Sequence, residues 1–133
     1  MYDKVVQVGL RSMDSGSAKK INRKQVFTMS DMRKYSEMEI ARKIVAATGK
    51  EVYITIDLDV FDPSEMPSVG TPEPDGMRFS QVVSIVEEIS KSKRLVGIDI
   101  VELSPIPYLT YPNFTAAKLA YLILGYFLAR KKG

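Results

Sequence analysis

Four short apolar runs set the limits on what this chain can fold into. Lys4–Leu10 (KVVQVGL), Val26–Met29 (VFTM), Glu51–Asp57 (EVYITID) and Leu95–Glu102 (LVGIDIVE) are strand-length and rich in β-formers. Their hydrophobicity is nearly continuous, as in strands of a parallel sheet covered on both faces. Helical patterns separate them. Ser30 or Asp31 is placed to cap a helix to about Thr48, stopped by Gly49, with Tyr35, Met38, Ala41, Ile44, Val45 and Thr48 on its apolar face. Ser80 is placed to cap a second helix through about Ser90. A last one is expected from about Asn113 or Thr115 to Arg130; it is apolar nearly all round, hence either buried or part of a subunit interface. Arg11 to Lys20, rich in Ser, Asp and Gly, reads as loop. The alternation predicts an α/β fold, a parallel sheet with helices on both faces, as a single domain over 1–133.

Composition narrows the function. At 133 residues and 45% hydrophobic, the chain can bury a real core. Its net charge of +3, from 19 basic and 16 acidic residues, is too mild and too dispersed to argue for nucleic acid or a membrane surface. The start, MYDKVVQVGL, lacks the apolar centre of a signal peptide, and a cytoplasmic protein is the expectation. The longest apolar run, Leu119 to Ala129, is eleven residues, against the ~20 that span a bilayer. There is no cysteine, which excludes disulfides, thiolate metal sites and cysteine nucleophiles. There is also no histidine, so this chain by itself offers no His acid–base chemistry, Ser-His-Asp hydrolysis or His-containing metal site.

The chemistry-bearing stretch is 54–76, ITIDLDVFDPSEMPSVGTPEPDG. Asp57 and Asp59 close the third strand, and strand alternation would point both the same way. Two carboxylates on one side repel unless a cation or buried donors compensate, and as hard oxygen donors they suit Mn²⁺ or Mg²⁺. The competing reading is a solvated strand end with a turn-forming aspartate. An EF-hand is excluded, because Phe61 occupies the third ligand position. Asp62 is expected to cap the turn before Pro63, with metal binding as the alternative, and Glu73, between two prolines, to order the loop, with a direct substrate role as the alternative. Glu102 ends the fourth strand. In open α/β sheets ligands sit beyond the carboxyl ends of the strands, so Asp57, Asp59 and Glu102 should share one rim. For Glu102 alone, a strand-end glutamate in water is the alternative. By alternation Asp99 faces away from Glu102 and reads as structural, bonded to a neighbouring loop or helix. Arg11, after the first strand, reads as a solvated loop arginine, with a pocket-shaping role as the alternative.

Asp57-Leu58-Asp59-Val60-Phe61-Asp62-Pro63, then Pro67, then Gly70-Thr71-Pro72-Glu73-Pro74, resembles the second metal-binding signature of the arginase/agmatinase (ureohydrolase) family. That pattern is roughly D-x-D-x-x-D-P-x-x-x-P-x-x-G-T-P-E-P-G-G. Here Asp75 replaces a glycine, and Ser68-Val69 stands where glycine and threonine are common. Gly97 to Pro105 (GIDIVELSP) resembles the family's G-x-D-x-V-E-x-x-P strand.

The resemblance runs from VVQVGLRS onward and corresponds to the C-terminal half of a ureohydrolase. It implies a partial arginase-like three-layer α/β/α fold. It also implies Asp57 and Asp59 as metal ligands, Glu102 as a contact to the substrate guanidinium, and two Mn²⁺ ions as cofactor. The remaining ligands, a D-x-H-x-D segment and an earlier histidine, have no counterpart here, and no catalytic residue is identified in this chain. The implied substrate is a small guanidino compound such as agmatine or arginine, releasing urea. The family sheet places a strand from the other half between this chain's first and third strands, so a gap with unpaired backbone is expected. The partners implied are the missing N-terminal half or another protomer, in a homo-oligomer. The alternatives are a catalytically inactive truncated homologue and a self-associating α/β module that binds a cation at its carboxylate rim.

Overall fold

The computed structural model describes residues 5–20, 22 and 24–129. Strand β1 (Gln7–Leu10) pairs in parallel with β2 (Val26–Thr28), and β3 (Glu51–Asp57) in parallel with β4 (Arg94–Val101). The two pairs form separate sheets, and β1 and β3 do not bond to each other. The expected gap is therefore present. It is a cleft of about 1450 Å³ walled by β1 and β3 and floored by Ile44, Val82, Ile85, Val86 and Ile89. The predicted β3 limits match; Lys4 and Arg130, placed in predicted elements, lie outside the described residues.

The helices begin where side chains satisfy their free N–H groups. The segment expected as one helix from Ser30 or Asp31 to Thr48 is two: α2 (Met29–Met32) and α3 (Glu37–Ala47), with α1 (Ser15–Lys20) standing in the predicted loop before them. Two capping boxes in succession account for the break. Thr28 Oγ1 accepts from Asp31 N–H at 3.3 Å, while Thr28 N–H donates to the Asp31 carboxylate at 2.9 Å. Ser36 and Glu39 repeat the exchange at 3.3 and 2.9 Å. A second N-cap ends the first helix. Tyr35 consequently lies outside α3, its exposed ring under the Lys43 ammonium at 3.9 Å, and Met38 is exposed as well.

Helix α4 (Phe79–Ser90) starts one residue before the expected Ser80 cap. Arg78 N–H donates to Gln81 Oε1 at 2.9 Å, and Phe79 N–H to Glu65 Oε2 at 2.5 Å. A carboxylate beside the N-terminal N–H groups also complements the helix dipole. Helix α5 (Tyr111–Ala129) buries Thr115, Ala116, Leu119, Ile123 and Phe127 along one stripe and exposes Phe114, Tyr121, Leu124 and Leu128 on the other. Among the described residues no helix is long and apolar enough to cross a membrane.

The core lies between β3–β4 and the helices. Val52 and Ile56 form one cluster with Ile40, Ala41 and Ile44 of α3, the apolar face of α4 and the stripe of α5. The opposite face of β3 carries Tyr53, Thr55 and Asp57, all exposed. A second part of the same cluster, Leu58, Phe61, Met66, Val69 and Met77, lies in the loop between β3 and α4. That loop is therefore packed from within, not draped over the surface.

Candidate metal and substrate site

The β3–β4 ladder ends at the pair Asp57–Val101, and Leu58–Val60 then forms one 3-10 turn. Fully buried Leu58 anchors the turn. This corrects the alternation argument: Asp59 is no longer in the strand, and the turn brings it back towards Asp57. Asp59 N–H donates to Asp57 Oδ1 at 3.1 Å. Asp59 Oδ2 accepts from Thr71 Oγ1 at 3.0 Å. Desolvation by the protein atoms around the carboxyl, then the charges of Asp59 and Glu102, raise Asp57 above its ordinary range, against the opposing bond from Asp59 N–H.

Glu102 lies one residue past β4, at φ 68°. Left-handed backbone at a non-glycine residue costs about 1–3 kcal/mol and concentrates at functional sites. A methyl group added to Gly70 would sit 3.8 Å from Glu102 Oε2, so this carboxylate stands beside the loop that carries Thr71. Ser104 N–H, bonded to the Ser68 carbonyl at 2.8 Å, ties the segment after β4 to the same loop. The structure thus assembles Asp57, Asp59 and Glu102 at one rim. Among the described residues no three His, Cys, Asp or Glu side chains form a group able to hold an ion by themselves.

Asp99 does not bond to a loop or helix as expected. It bonds across the β3–β4 ladder: Tyr53 Oη donates to Asp99 Oδ2 at 2.8 Å, and Thr55 Oγ1 donates to Oδ1. The hydroxyl of Thr55, then that of Tyr53, holds its carboxyl below the usual range. Alternation placed Asp99 on the side away from Glu102 but said nothing of which β3 side chains stand across from it.

Arg11 is also not the solvated arginine that loop position suggested. It is partly buried, and its Nη2 donates to the main-chain carbonyls of Asp59 at 2.6 Å and Glu73 at 2.8 Å. Ser12 Oγ donates to Glu73 Oε1 at 2.6 Å, so Glu73 orders the loop as expected. These contacts, and the Thr71 bond to Asp59, were missed from sequence. Arg11 and Glu73 are 62 positions apart, and no local pattern links them.

Asp62 takes the predicted structural role. Oδ1 accepts from Ser64 N–H at 3.0 Å and Ser64 Oγ at 2.5 Å; Oδ2 accepts from Asp75 N–H at 2.9 Å and Gly76 N–H at 3.3 Å. Asp75 has φ 66°, which explains why glycine suits this position in the family pattern and why aspartate, tolerant of that region, can replace it. Its carboxylate pairs with Arg33.

The bonds from Ser64, chiefly its hydroxyl, hold the Asp62 carboxyl below its ordinary value. A group depressed on folding contributes stability in full above its unfolded pKa, and loses that contribution as pH falls through the folded value. The urea midpoint should therefore drop more steeply below about pH 4 in the wild-type chain than in Asp62→Asn. Parallel curves for the two proteins would remove Asp62 from the acid response.

A sequence profile of the Arginase family matches residues 1–127. An N(1)-aminopropylagmatine ureohydrolase of Thermus thermophilus is 43% identical over 121 residues, which cover 91% of this chain and 41% of that protein. Among solved structures, arginase from Bacillus caldovelox matches with a TM-score of 0.84 at 26% identity, over 92% of this chain and 43% of that one. The agmatine ureohydrolase of Thermoplasma volcanium matches at 0.82 with 28% identity, over 96% and 43%. The chain spans about two fifths of the length of the relatives it matches.

Proposed function

Because this chain belongs to the arginase family and has its fold, we propose that it supplies the carboxylate side of a two-manganese ureohydrolase site acting on a small guanidino compound. The observation that carries the reading is the rim itself. Asp57 and Asp59 are folded back on each other by one turn, with Glu102 beside them and, among the described residues, no cationic side chain bonded to either carboxylate. The donor set fits a hard divalent cation: carboxylate oxygens only, with one carboxyl raised by desolvation and by its acidic neighbours, a charge that a cation would offset.

Asp57 and Asp59 would hold the metal, with Thr71 orienting one Asp59 oxygen. When bound, manganese supplies Lewis acidity, which makes a water nucleophilic near neutral pH. Glu102 would pair with the substrate's planar guanidinium, whose forked N–H groups match a carboxylate. Its left-handed backbone fits a side chain held for contact with ligand and not for packing.

Two aspartates form only part of such a site. We assign the remaining ligands to a second polypeptide segment, the N-terminal half in family terms, whose strand would occupy the cleft between β1 and β3. A parallel strand there would satisfy both open edges and end at the Asp57–Asp59 rim. In sequence alignment, the identity of 43% over 121 residues to an aminopropylagmatine ureohydrolase, against 29% over 132 residues to the Bacillus caldovelox arginase, favours an agmatine-type guanidine over arginine.

The chain alone should take up Mn²⁺ weakly, as read by titration with electron paramagnetic resonance. Asp57→Asn with Asp59→Asn should weaken that uptake by about a hundredfold or more while leaving the circular dichroism spectrum intact. With an N-terminal half from a family member added, urea should be released from agmatine-type guanidines in a Mn²⁺-dependent way. Silence of a demonstrated complex on agmatine, aminopropylagmatine and arginine would overturn the hydrolase reading. The open edges of β1 and β3 equally suit self-association. An ordered oligomer that takes up a cation but hydrolyses nothing with the added half would favour the binding-module reading.

A further inference from the structure

We infer that Arg11 is a positioning residue for this site: it fixes Asp59 and the Thr71 loop against the end of β1 through main-chain carbonyls, without touching ligand itself. The inference rests on the metal-site reading only for its effect on Mn²⁺; the clamp stands on geometry alone. One nitrogen, Nη2, donates to both the Asp59 carbonyl at 2.6 Å and the Glu73 carbonyl at 2.8 Å. Those residues flank the span that contains Thr71, the side chain bonded to the Asp59 carboxylate at 3.0 Å. Arg11 thus sets the distance between Asp59 and the residue that orients it.

Three features separate this from an ordinary surface arginine. Arg11 makes no salt bridge among the described residues; its strong donors go to neutral carbonyls. Its Nε is buried without a partner among the described residues, and such a donor carries a cost of about 1–3 kcal/mol. It also lines the cleft between β1 and β3, so a segment entering that cleft could offer Nε an acceptor. Third, the base of the loop is held independently, by the Phe61–Met77 bridge and by Asp62. Removing Arg11 should therefore release the tip of the loop and leave its base folded.

The geometric part is tested without metal. In the full chain, Arg11→Met keeps the apolar stem and removes every donor. Backbone amide order parameters should fall at Thr71 and Glu73 and stay unchanged at 61–62 and 75–77. The functional part is tested by Mn²⁺ titration of Arg11→Met, Thr71→Val and the double variant. Each single change should weaken binding about tenfold, the lower end for partners of metal ligands. The double variant should be little worse than either single one, because both act through the same carboxylate. Unchanged order parameters at Thr71 and Glu73 overturn the clamp whether or not the chain binds metal. Fully additive losses overturn the claim that Arg11 acts through Asp59. Lowered order parameters in a chain whose wild type takes up no Mn²⁺ support the clamp and count against the metal-site reading.

Discussion

Gly76→Ala should lower the stability of this chain by about 3 kcal/mol or more, the range reached when a substitution forces backbone apart. A Cβ at position 76 would lie 2.4 Å from both the Asp62 nitrogen and the Phe61 carbonyl carbon, and 2.5 Å from the Phe61 oxygen. All three are backbone atoms and cannot rotate away. They are also pinned: Met77 N–H donates to the Val60 carbonyl at 2.8 Å, and Asp62 N–H to the Met77 carbonyl at 2.9 Å. Making room for one methyl group therefore means breaking the bridge that closes the 61–77 loop. The Asp62 carboxylate would lose its bond from Gly76 N–H as well. The measurement is the urea midpoint of the full chain. A loss under about 1 kcal/mol, ordinary for a surface substitution, would mean the loop base yields more easily than its ladder bonds indicate.

Phe61→Ala should cost about 3–5 kcal/mol by leaving a cavity in the same loop. Phe61 is only 1% exposed, and its ring stacks on Phe79 with centroids 6.3 Å apart and planes at 24°. It shares the core cluster with Leu58, Met66 and Met77, which connects the 3-10 turn bearing Asp59 to the start of α4. Phe61→Leu conserves most of the volume and should restore most of the loss, to within about 1.5 kcal/mol of wild type. Equal destabilisation by the two variants would place the importance of Phe61 in its ring contact and not in filled volume. The two substitutions act on one loop by different means, Gly76 through backbone approach and Phe61 through packing. Their effects should not add.

Legibility varied from element to element for definite reasons. The limits of β3 were readable because Val52, Ile54 and Ile56 must face the core and Gly49 and Asp57 bound the run. The break between α2 and α3 was also written locally, as Thr28-x-x-Asp31 and Ser36-x-x-Glu39, but a continuous apolar periodicity masked it. Glu102 belonged to the rim as expected, yet alternation could not describe it, because the strand ends at Val101 and the next residue turns left-handed. Asp57 and Asp59 do come together, but by another route than the one expected: a turn joins them, not a shared strand face.

The sequence by itself determined the α/β alternation, the set of carboxylates at the ends of β3 and β4, and the exclusion of histidine chemistry within this chain. Those follow from periodicity, from the type and spacing of carboxylates, and from the absence of histidine. Tertiary structure decided what holds the rim in shape. Arg11 reaches Asp59 and Glu73 only because β1 ends beside the 3-10 turn, where Gly9, at φ 86°, lets Val60 approach. Hydrogen bonds of that reach depend on where two distant backbones stop, and no local preference of either segment encodes that distance.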